Sequence, residues 1–169
     1  LGIGNTTEAL TPYIVSKMKE KLDLLSDRNT YTGYGDEQGD TPLREALRDL
    51  YEREYGVKLE ATEFFVSDGA KADAANIQQI FSRDSIVAVQ DPAYPVYVDS
   101  NVAGGRSEGY SEALMGYKCL VYMPSNAENG FVASPPEYHV DLMYLCFPNN
   151  PTGAVATYDQ LKAFVDYAL

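Results

Sequence analysis

Four short stretches hold residues whose types and spacing could do chemistry. The first is Phe64-Phe65-Val66-Ser67-Asp68-Gly69-Ala70-Lys71, an apolar run that meets a glycine and then a helical pattern. A strand that turns through glycine into a helix aims backbone N–H groups and the positive end of the helix dipole at one point. Such a point suits an anion, phosphate above all. The amides of Ala70 and Lys71 would form the cup, and the Lys71 ammonium would be left to meet a second anion. The same residues also make a plain strand-to-helix turn in which Gly69 supplies a positive φ. They match neither GxGxxG nor GxxxxGK[ST], so nucleotide binding by those routes has no support.

The second stretch, Asp91-Pro92-Ala93-Tyr94-Pro95, holds an aromatic residue between two prolines at the end of an apolar run. The prolines restrict the backbone on both sides of the ring. This reads either as a rigid surface turn or as a ring placed to stack on a flat ligand, with its phenol as a hydrogen-bond handle. The third, Pro148-Asn149-Asn150-Pro151-Thr152-Gly153, is a turn bounded by prolines. Asn suits turns for structural reasons, and its amide could also donate to a ring oxygen. The fourth, Gly33-Tyr34-Gly35-Asp36-Glu37-Gln38-Gly39, is either a flexible connector or an arm that presents Tyr34 and Glu37 to a neighbouring subunit.

The elements that would position these loops follow from periodicity. Leu1 to Gly4 reads as a short strand. Pro12 opens a helix with Ile14, Val15, Met18, Leu22 and Leu25 on one face. Thr41-Pro42 reads as a cap followed by the first helical residue, and Gly56 as the terminator of that second helix. Strands are expected over 63–67, 86–89, 119–123 and 142–147. Helices are expected over 70–81, with Ala74, Ile77, Ile80 and Phe81 facing inward, and over 94–102. A last helix carries Leu161, Phe164, Val165 and Ala168 and starts at the capping box Thr157-x-x-Gln160. Residues 104–116 and 126–136 read as loops. Apolar strands alternating with helices define an α/β fold, a three-layer, mostly parallel sheet with helices on both faces. In such sheets ligands bind beyond the carboxyl ends of the strands, where the first three loops are expected.

Composition limits the partners. The chain has 169 residues and a net charge of −12, which argues against nucleic acid. The only histidine is His139, and the two cysteines, Cys119 and Cys146, lie in apolar runs. They are expected to be buried, unpaired thiols of a reducing compartment, and no metal site is expected. No run reaches the roughly 18 apolar residues of a membrane span, and no signal-peptide pattern is present. The expected location is cytoplasmic. The chain begins without Met and stops within a helical pattern, so both ends are expected to be truncations.

Taken in order, GYGDEQG-x-x-x-LR, SDGAK, DPAYPVYVD and PNNPTG resemble the fold-type I pyridoxal-phosphate aminotransferases. The similarity is most specific to the LL-diaminopimelate aminotransferase family, and LGIGNTTEAL is similar to that family's opening segment. Asn5 is a mild departure, standing where the family usually has Asp. The resemblance implies pyridoxal 5'-phosphate as cofactor and a homodimer as the assembly. It implies that Ala70 and Lys71 hold the cofactor phosphate, Tyr94 stacks on the pyridine ring, and Asn150 bonds its phenolic oxygen. Tyr34 would reach the partner's cofactor phosphate. Gly4, Glu37, Lys71, Tyr94 and Asn150 would line the substrate site, Glu37 toward a distal ammonium and Lys71 toward a distal carboxylate.

The resemblance also requires a lysine in Schiff-base linkage to the cofactor. None of Lys17, Lys19, Lys21, Lys58, Lys71, Lys118 and Lys162 lies in the family's context for it. The expectation is a piece of such an enzyme, inactive by itself. Residues 1–40 would form the N-terminal segment and interface arm, and 41–169 part of the cofactor-binding large domain. The expected reaction moves an amino group between LL-diaminopimelate and 2-oxoglutarate in lysine biosynthesis. The alternatives are another class I/II aminotransferase, a C–S lyase, or a non-catalytic phosphate-binding module.

Overall fold

A computed structural model describes residues 7–169. The expected strand at Leu1 to Gly4, and with it Gly4, lies outside the described residues. The contacts divide the chain into two compact units, one ending at Val66 and one running Ser67–Leu169. That division falls later than the boundary after residue 40 drawn by role.

The first unit holds two helices, α1 (Pro12–Ser26) and α2 (Thr41–Tyr55). Thr11 caps α1 by accepting from the Ile14 amide, and Pro12 sits at its start, as the sequence predicts. The apolar stripe of α1, Ile14, Met18, Leu22 and Leu25, is exposed. The N-cap of α2 is Asp40, one residue before the expected Thr41. The Thr41 hydroxyl instead accepts from Arg44. Gly56 ends α2 at φ 67°, where its amide bonds the Glu52 carbonyl.

Arg44 organises this unit. It is buried, and its guanidinium donates to the Gly39 and Ala61 carbonyls, to Thr41 and to the Asp36 carboxylate at 3.1 Å. Asp36 also accepts from the Gln38 amide, and the Gln38 carbonyl accepts from the Val66 amide. The end of the glycine-rich segment is therefore tied down, not a flexible connector. Gly39 is required there, because a Cβ at its φ of 109° would meet the Val66 Cβ at 2.6 Å. The expected strand over 63–67 is absent. Ala61–Glu63 is a turn of 3-10 helix and the residues after it are extended but unladdered. Phe65 is exposed, while Phe64 packs edge-on to Tyr51 with ring centroids 5.5 Å apart.

The second unit is the α/β body. Its parallel sheet has the order β4-β1-β5, from β1 (Val87–Asp91), β4 (Leu120–Pro124) and β5 (Leu142–Tyr144). Side chains alternate across it with the period of two that a strand imposes. Val87, Val89, Leu120 and Tyr144 face α3 (Ala70–Asn76) and α4 (Pro95–Ala103), through Ala74, Tyr97, Val98 and Val102. Ala88 and Met123 face the opposite way, onto Ala133, Val140 and Phe164. Phe164 belongs to α5 (Tyr158–Ala168), whose predicted Thr157–Gln160 capping box is present. Burying that phenyl ring stabilises the unit by about 2–3 kcal/mol. Leu161 and Val165 are exposed. The three layers expected from the sequence are thus present.

Several local expectations are corrected. The helix predicted over 70–81 is α-helical only to Asn76 and continues as 3-10 helix over Ile77–Ile80. That tightening rephases its face, so Gln78 is buried while Ile77 and Ile80 are exposed. Residues 104–116 are not all loop. They carry β2 (Tyr110–Ser111), which pairs antiparallel with β3 (Gly116–Tyr117). The last strand stops at Tyr144, not at Phe147. Both cysteines are unpaired, as expected, but Cys119 is exposed and Cys146 only half-buried. Cys119 leads into β4 at φ 69° and so lies outside the strand.

Asp141 ties β5 to β1 at the strand entrances. Its carboxylate accepts from the Ile86 amide at 2.7 Å and from His139 at 3.2 Å. The Ile86 amide, then His139, holds this carboxyl below the usual aspartate range. A carboxyl depressed in the folded state contributes stability that is full above its unfolded pKa and lost as pH falls through the folded one. Unfolding midpoints in urea, measured down the acid limb, should therefore fall less steeply for Asp141→Asn than for the parent chain. Parallel acid limbs would contradict this.

Candidate functional site

The chain leaves β1 for β4 on one side and returns past β1 to β5 on the other. The strand order therefore reverses between β1 and β5, and crevices for ligands open beyond the carboxyl ends of strands at such a point. The loop after β1 carries Tyr94 and the loop after β5 carries Asn149 and Asn150.

Asn149 joins these two loops. It is buried, and its Nδ2 donates to the Pro92 carbonyl at 3.2 Å and to the Thr152 hydroxyl at 3.0 Å. Its own amide bonds the Ala154 carbonyl, and its carbonyl accepts from Gly153. Asn150 is left exposed at the turn, with its amide available. The sequence does not distinguish the two asparagines, because either can be the one turned inward between prolines. Gln90 makes a second link, its Oε1 accepting from the Cys146 amide at 2.7 Å. A polar residue continuing the apolar run of β1 was the available signal for it.

Tyr94 is half-buried and precedes Pro95 at the start of α4. Its ring stands edge-on to Tyr97, centroids 5.6 Å apart and planes at 82°. Tyr97 in turn stacks on Tyr144 at 4.8 Å and 20°. Burial, followed by the neighbouring Cys146, pushes the Tyr97 phenol up from its ordinary value. The Tyr144 hydroxyl donates to the Ala74 carbonyl at 3.0 Å, which moors α3 to the sheet.

Ala70 and Lys71 form the exposed first turn of α3. The N-cap residue is Gly69, at φ 145° and ψ 162°, a conformation that L-residues rarely adopt. No side chain caps the helix, so its leading amides are open to an external acceptor. The Ser67 hydroxyl takes the Gly69 amide and fixes the turn before it.

Ala70, Lys71, Tyr94 and Asn150 thus all belong to the second unit. Tyr34 and Glu37 belong to the first, where both are exposed. Among the described residues no group of three or more His, Cys, Asp or Glu could hold a metal ion. No described helix is long and apolar enough to cross a membrane.

A parallel sheet covered by helices on both faces, with a reversal of strand order between β1 and β5 and aromatic and amide residues on the loops at that reversal, defines an α/β protein. The chain belongs to the aminotransferase class I and II family, whose model matches residues 1–169. Curated relatives are LL-diaminopimelate aminotransferases. That of Methanosphaera stadtmanae is 50% identical over 99% of this chain and 41% of its own length. That of Desulfotalea psychrophila is 46% identical over 100% of this chain and 41% of its own. The chain therefore spans about two fifths of the length of these relatives. The solved L,L-diaminopimelate aminotransferase of Chlamydomonas reinhardtii superimposes with a TM-score of 0.83 at 42% identity, over 96% of this chain and 39% of that one.

Proposed function

We propose that this chain forms the cofactor-binding part of a pyridoxal-phosphate-dependent aminotransferase. The proposed reaction moves an amino group between LL-diaminopimelate and 2-oxoglutarate, in lysine biosynthesis. The observation that carries this reading is the convergence of Tyr94 and the Asn149-fixed turn on the β1/β5 reversal. The names of the relatives support the substrate, and the uncapped first turn of α3 suits a phosphate.

In this reading the Ala70 and Lys71 amides bind the phosphate, and the helix dipole adds to their attraction. The Tyr94 ring would stack on the pyridine and keep water from that face. The Asn150 amide donates to the ring's phenolic oxygen and holds negative charge there. When bound, the cofactor supplies the electron sink that eases loss of the substrate's α-proton. Lys71 would meet a distal carboxylate and Glu37 a distal ammonium of the substrate, and Gly4 is carried over from the family resemblance as a further substrate residue. Tyr34 would reach the cofactor phosphate of a second copy in a homodimer. The lysine that moves the α-proton is assigned to none of the seven in this chain. The chain by itself is therefore inactive, and the cytoplasm is its setting.

The test is spectroscopic. Full-length protein loaded with pyridoxal phosphate should lose its cofactor absorbance on addition of LL-diaminopimelate and regain it with 2-oxoglutarate. Loss with other amino acids, and no response to LL-diaminopimelate, would overturn the substrate assignment.

A further inference from the structure

We propose that Tyr97 is a positioning residue for the candidate cofactor site. It acts through Tyr94, by holding that ring at the angle needed to stack on a planar ligand. The inference rests on the pyridoxal-phosphate reading above and extends it to a residue that would not touch the cofactor itself.

Tyr94 has one hinge to control. Pro92 and Pro95 restrict its backbone, but its ring can still turn about the side-chain bonds. Tyr97 lies one helical turn further on and meets it edge to face, at 5.6 Å and 82°. That geometry favours one ring orientation, because the positive edge of one ring meets the negative face of the other.

Tyr97 is itself held on two sides. Its ring stacks on Tyr144 at 4.8 Å, and Tyr144 is buried in β5, in register with Val89. Its carbonyl accepts from Asn101 Nδ2 at 2.7 Å, and Asn101 is completely buried. The ring that meets Tyr94 is thereby fixed to the sheet and to α4. The Tyr97 hydroxyl makes no hydrogen bond to Tyr94, so the aromatic face and edge carry the effect.

A double-mutant cycle on the full-length protein, read as pyridoxal-phosphate affinity, tests this. Tyr97→Leu should weaken binding about three- to tenfold, the range an aromatic pair provides. Tyr97→Phe should leave binding within twofold of wild type. In a Tyr94→Leu background, Tyr97→Leu should produce no further loss. Equal losses in both backgrounds would mean that Tyr97 only supports the fold, and would overturn the proposal. Should Tyr97→Leu fail to fold, Tyr97→His gives the same cycle with a smaller flat ring. Wild-type protein that does not bind pyridoxal phosphate would overturn the cofactor reading, and this inference with it.

Discussion

Arg106→Ala is expected to cost about 3 kcal/mol of stability, with the unfolding slope in urea unchanged. Arg106 is 6% exposed. Its Nε donates to the Ser82 carbonyl at 3.1 Å, its Nη1 to Gln78 Oε1 at 2.8 Å, and its Nη2 to the carbonyls of Gln78 and Phe81. Every partner is a neutral oxygen. Three are main-chain carbonyls at the end of the helical stretch that begins at Ala70, where the helix dipole is negative.

Truncation strands these acceptors where water reaches them poorly, and the penalty for unmet buried groups exceeds the net worth of the bonds themselves. Gln78 would lose its orientation too, although its Nε2 also donates to the Ser100 carbonyl at 3.0 Å and joins α4. Arg106→Lys should recover part of the loss, since an ammonium restores charge but cannot fork to four oxygens. A loss below about 1 kcal/mol for the alanine variant would show that this network is dispensable.

Asn149→Asp should be the most damaging conservative change near the candidate site, at about 2–3 kcal/mol. The two side chains have the same shape. The change replaces the amide that donates to the Pro92 carbonyl with an oxygen that repels it, in a position 3% exposed. The loops after β1 and β5 would separate where they are now joined. Protonation would let the carboxyl donate again, so the destabilisation should shrink in acid. Asn149→Ala lacks the repulsion and should be milder. Thermal unfolding of both variants across pH would decide this, and an aspartate variant as stable as wild type at neutral pH would refute it.

The strands and helices legible in the sequence are those whose signals are local. Val87 to Val89 is apolar without interruption because both faces of the central strand are covered. Gly56 ends α2 and Thr157 begins α5 for reasons contained within a few residues. Phe64 to Val66 has the composition of a strand, but composition does not provide a neighbouring ladder: the Phe64 amide turns back to the Ala61 carbonyl and the Val66 amide meets the Gln38 carbonyl. The inward face assigned to Ile77 and Ile80 assumed 3.6 residues per turn, which fails once the helix tightens to 3-10.

Of the candidate site, Tyr94 and the proline-bounded turn were legible as positions with fixed backbone. What holds them was not. Tyr144 reaches Ala74 across 70 residues, and Asn149 reaches Pro92 across 57. Such bonds are set by which strands lie side by side, and no local pattern records them.

Gln90, the penultimate residue of β1, extends the tie between β1 and the segment after β5. Main-chain pairing of β1 with β5 stops at Val89 and Tyr144, and two residues later the Cys146 amide bonds the Gln90 side chain instead. Neighbouring strands in a ladder are held about 4.8 Å apart. Beyond Tyr144 the main-chain ladder to β1 ends, and a glutamine side chain makes the next bond across. The link from β1 to the loop after β5 is therefore carried by a side chain, so a substitution at Gln90 reaches the segment that leads to Asn149 and Asn150 without touching the ladder itself.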